Sequence, residues 1–190
     1  RESEIAAARN LVGGPRLPRA DRPARILLHP GSRSLHRIWP ADRFAAVCDR
    51  LQDEAGAQIF LVAGPGEQNL IDDLRRHAQT HLVALKPLGS IAAFAALAAQ
   101  CDVFLCHDSG PMHVAAAVGT PVVALFGSQN ATLWRPLGDH HTVLQPPSPC
   151  PCLGPAAPSP CVRDDSYRSW CVRLLSAEQV FAAVARALRR

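Results

Sequence analysis

The chain has 190 residues, 48% of them hydrophobic and 19% charged, a globular composition long enough for one α/β domain with a real core. Its net charge of +4, from 20 basic and 16 acidic side chains, is too mild to require nucleic acid; an anionic small molecule or membrane face fits it as well. No apolar run reaches the roughly 18 residues of a spanning helix, and the opening RESEIAAARN has neither a signal-peptide core nor an initiator Met, so the chain is expected to be a piece of a longer protein.

Residues 2–11 read as a short helix with Ile5, Ala8 and Leu11 on its apolar face. Gly13, Gly14, Pro15, Pro18 and Pro23 follow, and residues 1–24 as a whole read as a linker or hinge between domains. Arg25 to His29 is the first expected strand. It feeds a polar loop carrying Ser32, Arg33, Ser34 and Arg37. Trp39-Pro40 opens a helix to Glu54, with Phe44, Val47 and Leu51 on one face and Gly56 as its stop. A strand, a basic loop and a helix make an anion-binding edge, on which Arg33 and Arg37 can each fork onto phosphate oxygens; the alternative is two arginines facing solvent. Trp39 is assigned to packing.

Gln58 to Ala63 is the second strand, and Gly64-Pro65-Gly66-Glu67 is a sharp turn. The next helix runs to about His77 with Ile71 and Leu74 inward. Leu82 to Ala84 is a short third strand. Ser90 is the expected N-cap of a helix from Ile91 to Gln100, with Phe94, Ala95 and Leu97 for the core and Lys86 as a nearby basic candidate.

The most informative stretch is Cys101 to Asn130. Its apolar runs, 102–106 and 122–126, are strands joined over a short helix from about Met112 to Val118. Two parallel strands joined this way place the turns His107-Asp108-Ser109-Gly110 and Gly127-Ser128-Gln129-Asn130 at one sheet edge, where open α/β folds bind ligands. Helix starts leave amides unpaired, so those of Met112 and His113 are expected to be free for an anion. Gly110 lets backbone approach it, and Ser109 adds a hydroxyl. Asp108 repels phosphate and is expected to cap the helix or orient its neighbours. A capped connector without ligand is the competing interpretation.

The segment from Gln145 to Cys171 holds seven prolines and four cysteines and is no regular element. Cys150, Cys152, Cys161 and Cys171 can be packed free thiols, a zinc site or a disulfide; their spacing lacks paired C-x-x-C knuckles. Tyr167 and Trp170 are expected to anchor the loop. Cys48, Cys101 and Cys106 sit in apolar or periodic segments and read as small buried hydrophobes. Ser176 with Gln179 makes a capping box for a last helix, 176–188, whose stripe is Val180, Val184 and Leu188 with Phe181 beside it. The strands at 25–29, 58–63, 82–84, 102–106, 122–126 and 141–144 alternate with helices. The expected fold is therefore α/β, a Rossmann-like doubly wound parallel sheet of order 3-2-1-4-5-6.

The run D-S-G-P-M-H-x-A-A-A-x-G-x-P-x-x-A-L-F-G, from Asp108 to Gly127, resembles the signature of the lipopolysaccharide heptosyltransferase family, glycosyltransferase family 9. The resemblance covers about residues 24 to 188 and implies the C-terminal, donor-binding half of a GT-B enzyme, with 25–190 as the donor domain. It implies that Ser109, Gly110, Met112 and His113 lie against the diphosphate of an ADP-sugar such as ADP-heptose. Arg37 stands where the family pattern before Trp-Pro has Lys. Glu67 matches an acid that orders the donor site, although it is equally an ordinary helix-start acid. Gly127, Ser128 and Gln129 match a turn in which Gln129 replaces a hydroxyl residue. The resemblance further implies a cysteine-rich loop at this place and a catalytic base in an N-terminal domain outside this sequence. No required cofactor is expected, and a structural zinc is an option. The acceptor would be lipopolysaccharide core or a lipid A-linked precursor, at the cytoplasmic face of the inner membrane. The competing function classes are a non-catalytic nucleotide-binding module, a GT-B enzyme using UDP-sugars, and a zinc-bearing interaction domain.

Overall fold

The computed structural model describes residues 2–15, 18–33, 37–127, 129–146 and 170–189. In chain order the elements are α1 (Glu2–Leu11), β1 (Arg25–His29), α2 (Ala41–Ala55), β2 (Gln58–Leu61), α3 (Gln68–His77), β3 (Val83–Ala84) and α4 (Ile91–Ala98). They continue with β4 (Val103–His107), α5 (Gly110–Ala117), β5 (Val122–Leu125), α6 (Ala131–Trp134), β6 (Thr142–Leu144), α7 (Trp170–Arg173) and α8 (Ala177–Leu188). The strands form one sheet in the order β3-β2-β1-β4-β5-β6, as expected, and each pairing is parallel.

The alternation of β1 explains the two layers. Ile26 and Leu28 point to the face covered by α2, α3 and α8, where they meet Phe44, Leu51, Leu74 and Val184. Leu27 points to the other face and meets Phe94, Leu97, Phe104 and Met112. All three β1 side chains are fully buried, and each contributes about 1.5–3 kcal/mol. A strand buried on both faces reads as a continuous apolar run, which is why RILLH was legible as a central strand. Cys48, Cys101 and Cys106 are buried and outside any disulfide, and burial pushes the Cys48 and Cys106 thiols up.

Several local expectations change. On α1 the buried residue is Ala8, continued by Val12 beyond the helix; Ile5 and Leu11 are exposed. α1 packs against α4 with Ala8 and Val12 in the same apolar layer. On α8 the buried stripe is Val180, Ala183, Val184 and Ala187, while Phe181 lies at its edge under the Arg50 guanidinium. The Ser176–Gln179 capping box forms with both of its bonds, and Ser90 caps α4 by accepting from the Ala93 amide at 3.0 Å. The turn expected after β5 leads into the one-turn helix α6, started by Asn130 Oδ1 accepting from the Thr132 amide. Among the described residues no helix is long and apolar enough to cross a membrane.

Candidate functional site

In a parallel sheet the loops after β1, β4 and β5 open at the same edge, and here they surround a cleft of about 810 Å³. Its walls carry Ser32, Arg33 and Arg37 from the β1 loop, Glu67 from the β2 loop, Asp108, Ser109, Gly110 and His113 from the start of α5, and Gln129 after β5. Nine of the residues singled out in the sequence are thus brought to one cleft. Met112 is not among the described lining residues. It is fully buried in the apolar layer beneath α5, and its amide donates to the Ser109 carbonyl at 3.1 Å, so the expected free donor there is already used. Gly127 is also behind the wall. Its carbonyl, like that of Gln129, accepts from the Gln145 amide, which staples the β5 loop. Ser128 lies outside the described residues. So do Cys150, Cys152, Cys161 and Tyr167, and the side chains of Trp170 and Cys171. Among the described residues no group of three or more His, Cys, Asp or Glu is placed to hold a metal ion. Lys86 is exposed and lines neither this cleft nor the pocket beside it.

Asp108 does not cap α5. Its Oδ2 accepts from Arg37 Nη1 at 3.0 Å, while Ser109 holds the N-cap position without a side-chain capping bond. Burial pushes the Asp108 carboxyl up, against the opposing pull of Arg37 and His113. The ion pair turns an acid that would repel an anion into an anchor for a cation. Ser32 ties the same two loops through a long contact from its hydroxyl to the Asp108 carbonyl, 3.5 Å.

Glu67 is inside the site wall and makes no side-chain cap. Its Oε2 accepts from His29 Nε2 at 2.8 Å and from the Gly64 amide at 2.7 Å. The His29 hydrogen bond is the leading cause that holds the Glu67 carboxyl below the usual range. The carboxyl fits because Gly31 has no side chain: a Cβ there would stand 2.2 Å from Glu67 Cδ. Two buried polar atoms of the cleft wall have no hydrogen-bond partner among the described residues, His29 Nδ1 and Ser109 Oγ. An unpaired buried polar group costs about 1–3 kcal/mol, which a hydrogen-bond partner supplied to either atom would relieve. Next to the cleft, and sharing His29, Gly64, Pro65, Gly110 and Pro111 with it, is a pocket of about 460 Å³ floored by Val62, Leu88, Phe94 and Val114.

These loops and their spacing match a family model, glycosyltransferase family 9 (heptosyltransferase), over residues 2–160. The chain belongs to glycosyltransferase family 9. Lipopolysaccharide heptosyltransferase 3 of Escherichia coli strain K12 is 36% identical over 119 residues, 58% of this chain and 33% of that protein. Lipooligosaccharide heptosyltransferase 2 of Campylobacter jejuni is 31% identical over 121 residues, 62% of this chain and 38% of that protein. Among solved structures, a family 9 glycosyl transferase from Veillonella parvula superposes with a TM-score of 0.81 at 24% identity, over 100% of this chain and 52% of that one. The ADP-heptose lipopolysaccharide heptosyltransferase II of E. coli gives 0.77 at 21% identity, with the same coverage. This family 9 chain therefore spans about half the length of those solved relatives, and its matched segments about a third of the curated ones. Its parallel doubly wound sheet is that of a Rossmann-like GT-B half.

Sequence reasoning passed over His29 and Trp134, both of which line the cleft. His29 was absorbed into its strand because the rest of RILLH is buried core. The available signal was a polar residue closing an apolar strand immediately before a site loop. Trp134, which follows the turn after β5, is about half exposed on the cleft rim at the end of α6.

Proposed function

We propose that this chain is the donor-binding half of a heptosyltransferase, holding an ADP-sugar, ADP-heptose by its relatives' names, for transfer to the inner core of lipopolysaccharide. The observation that carries it is the pair of unpartnered buried atoms, Ser109 Oγ and His29 Nδ1, on the wall of a cleft that also holds Arg33 and Arg37 at the start of α5. The diphosphate lies against the helix start. Arg37, oriented by Asp108, and Arg33 neutralise the charge that grows on the leaving ADP as the glycosidic bond to it breaks, and Ser109 donates to a phosphate oxygen. The nucleoside extends into the adjoining apolar pocket, whose floor suits a flat base. Side-chain cations suffice for this task, and the chemistry requires no metal. The base that deprotonates the acceptor hydroxyl is assigned to the other half, as the family resemblance implies; in this half Asp108 is engaged by Arg37. In this organisation residues 1–24 lead from that half into the donor domain, 25–190, and the enzyme works in the cytoplasm at the inner face of the inner membrane, where a lipid-linked acceptor is presented.

Calorimetric titration of the chain with ADP, UDP and GDP tests the proposal. ADP is expected to bind in preference to the other two, and Arg37→Ala to weaken it by about 1 kcal/mol or more. Equal binding of all three, or none, overturns the ADP-sugar assignment.

A further inference from the structure

The turn that starts α5 is joined to the β1 loop by a buried histidine that does not touch the cleft. His107 is the last residue of β4 and is fully buried, its ring edge-on to Phe44 with centroids 5.3 Å apart. The Trp39 amide donates to its Nε2 at 2.8 Å. That nitrogen is therefore the acceptor, and the ring proton sits on Nδ1, which donates to the Gly31 carbonyl at 3.3 Å. Gly31 and Trp39 are the two ends of the segment that carries Ser32, Arg33 and Arg37. The next residue, Asp108, bonds Arg37 and accepts from Ser32. Two adjacent residues at the end of one strand thus hold the basic loop at four points. Gly31 is fixed from a second side by the Glu67 carboxyl packed against its Cα.

We propose that His107 is a positioning residue of the donor site: its neutral ring, donating to Gly31 and accepting from Trp39, sets the span of the β1 loop so that Arg37 reaches the diphosphate. A hydrophobe of the same shape would fill the core and leave a buried amide and a buried carbonyl unpaired. A side-chain amide restores one donor and one acceptor side by side, which the imidazole alone otherwise provides here. The role in ligand binding rests on the donor-site proposal above; the role in holding the loop does not.

The test compares the native chain with His107→Phe and His107→Gln, using two readouts and a thermal melt. The first readout is hydrogen exchange at the Trp39 amide, which needs no nucleotide. The second is ADP affinity by calorimetry. His107→Phe is expected to remain folded, to speed Trp39 exchange about tenfold or more, and to lower ADP affinity about tenfold. His107→Gln is expected to return both to within about threefold of native. Unchanged Trp39 exchange in His107→Phe overturns the proposal, as does a Gln variant no better than Phe. Faster exchange with unchanged ADP affinity overturns the link to the site. If His107→Phe fails to fold, the Gln variant alone decides, because native exchange and affinity are then required of it. Absence of ADP binding by the native chain would count against the donor-site assignment and leave the exchange comparison to judge the strut.

Discussion

Acid destabilises this fold through His107, and the size of the effect follows from its burial. Taking the ring out of water pushes its pKa down to about 3, and the Trp39 amide aimed at Nε2 leaves no room for a second ring proton. In the unfolded chain the same imidazole titrates near 6.5. A group whose folded pKa is depressed contributes stability that is complete above its unfolded value and is lost as pH falls toward the folded one. At pH 5.5 the unfolded imidazole is roughly ten-elevenths protonated while the folded ring is neutral, so proton binding stabilises the unfolded chain by about 1.4 kcal/mol. At pH 7.5 the same term is below about 0.1 kcal/mol. Because 5.5 lies well above the folded value, the difference depends on the unfolded titration alone. The assay is urea unfolding of the native chain and of His107→Gln at both pH values. The native chain should lose about 1.4 kcal/mol more than the variant between pH 7.5 and 5.5, since every other titrating group is common to both. Equal losses, to within about 0.5 kcal/mol, would refute a neutral, buried His107.

Three further outcomes follow from the same geometry. Gly31→Ala places a methyl 2.2 Å from the Glu67 carboxyl, which must leave His29 and Gly64; a loss of about 1–3 kcal/mol in urea unfolding and a drop in ADP affinity are expected, with unchanged values refuting the cradle. Ser176→Ala removes the capping box of α8 and should cost about 1 kcal/mol of unfolding free energy while leaving ADP affinity as it was, because α8 lies on the layer behind the sheet. Arg37→Lys should recover only part of the ADP affinity that Arg37→Ala loses, measured in the same titration, since the charge remains while the planar fork that serves Asp108 and a second acceptor together is lost.

The sheet was readable because its central strands, β1, β4 and β5, are apolar runs, and the turn after each parallel strand must come out at the same edge. The cleft was readable for the same reason: Ser32, Arg37, Ser109 and Gln129 all follow strands. What the sequence did not show was pairing across it. Asp108 was expected to cap the helix or orient its neighbours; the structure takes the second option, and the neighbour it orients, Arg37, is 71 residues away in sequence. Glu67 looked equally like a helix-start acid, and only the approach of His29 from a neighbouring strand decides its task. Met112 belongs to the motif but faces the core, since a helix start packed on a sheet must bury one of its first side chains. Sequence spacing places residues on an edge; it does not place them toward or away from the cleft.

The Arg37–Asp108 pair also explains how an arginine can stand at a position where the family pattern has lysine. A carboxylate beside an anion site is unfavourable unless a cation engages it, and a lysine so engaged presents a single charged atom to both partners. Arginine divides the task. Its Nη1 is held by Asp108 at 3.0 Å, and the guanidinium has further N–H groups in the same plane for a second acceptor. The partly buried Arg37, a lining residue of the cleft, is therefore fixed by a buried neighbour at one corner of its guanidinium. That neighbour directly follows His107 at the end of β4, so one of the two central strands of the sheet sets the direction from which the basic loop faces the cleft.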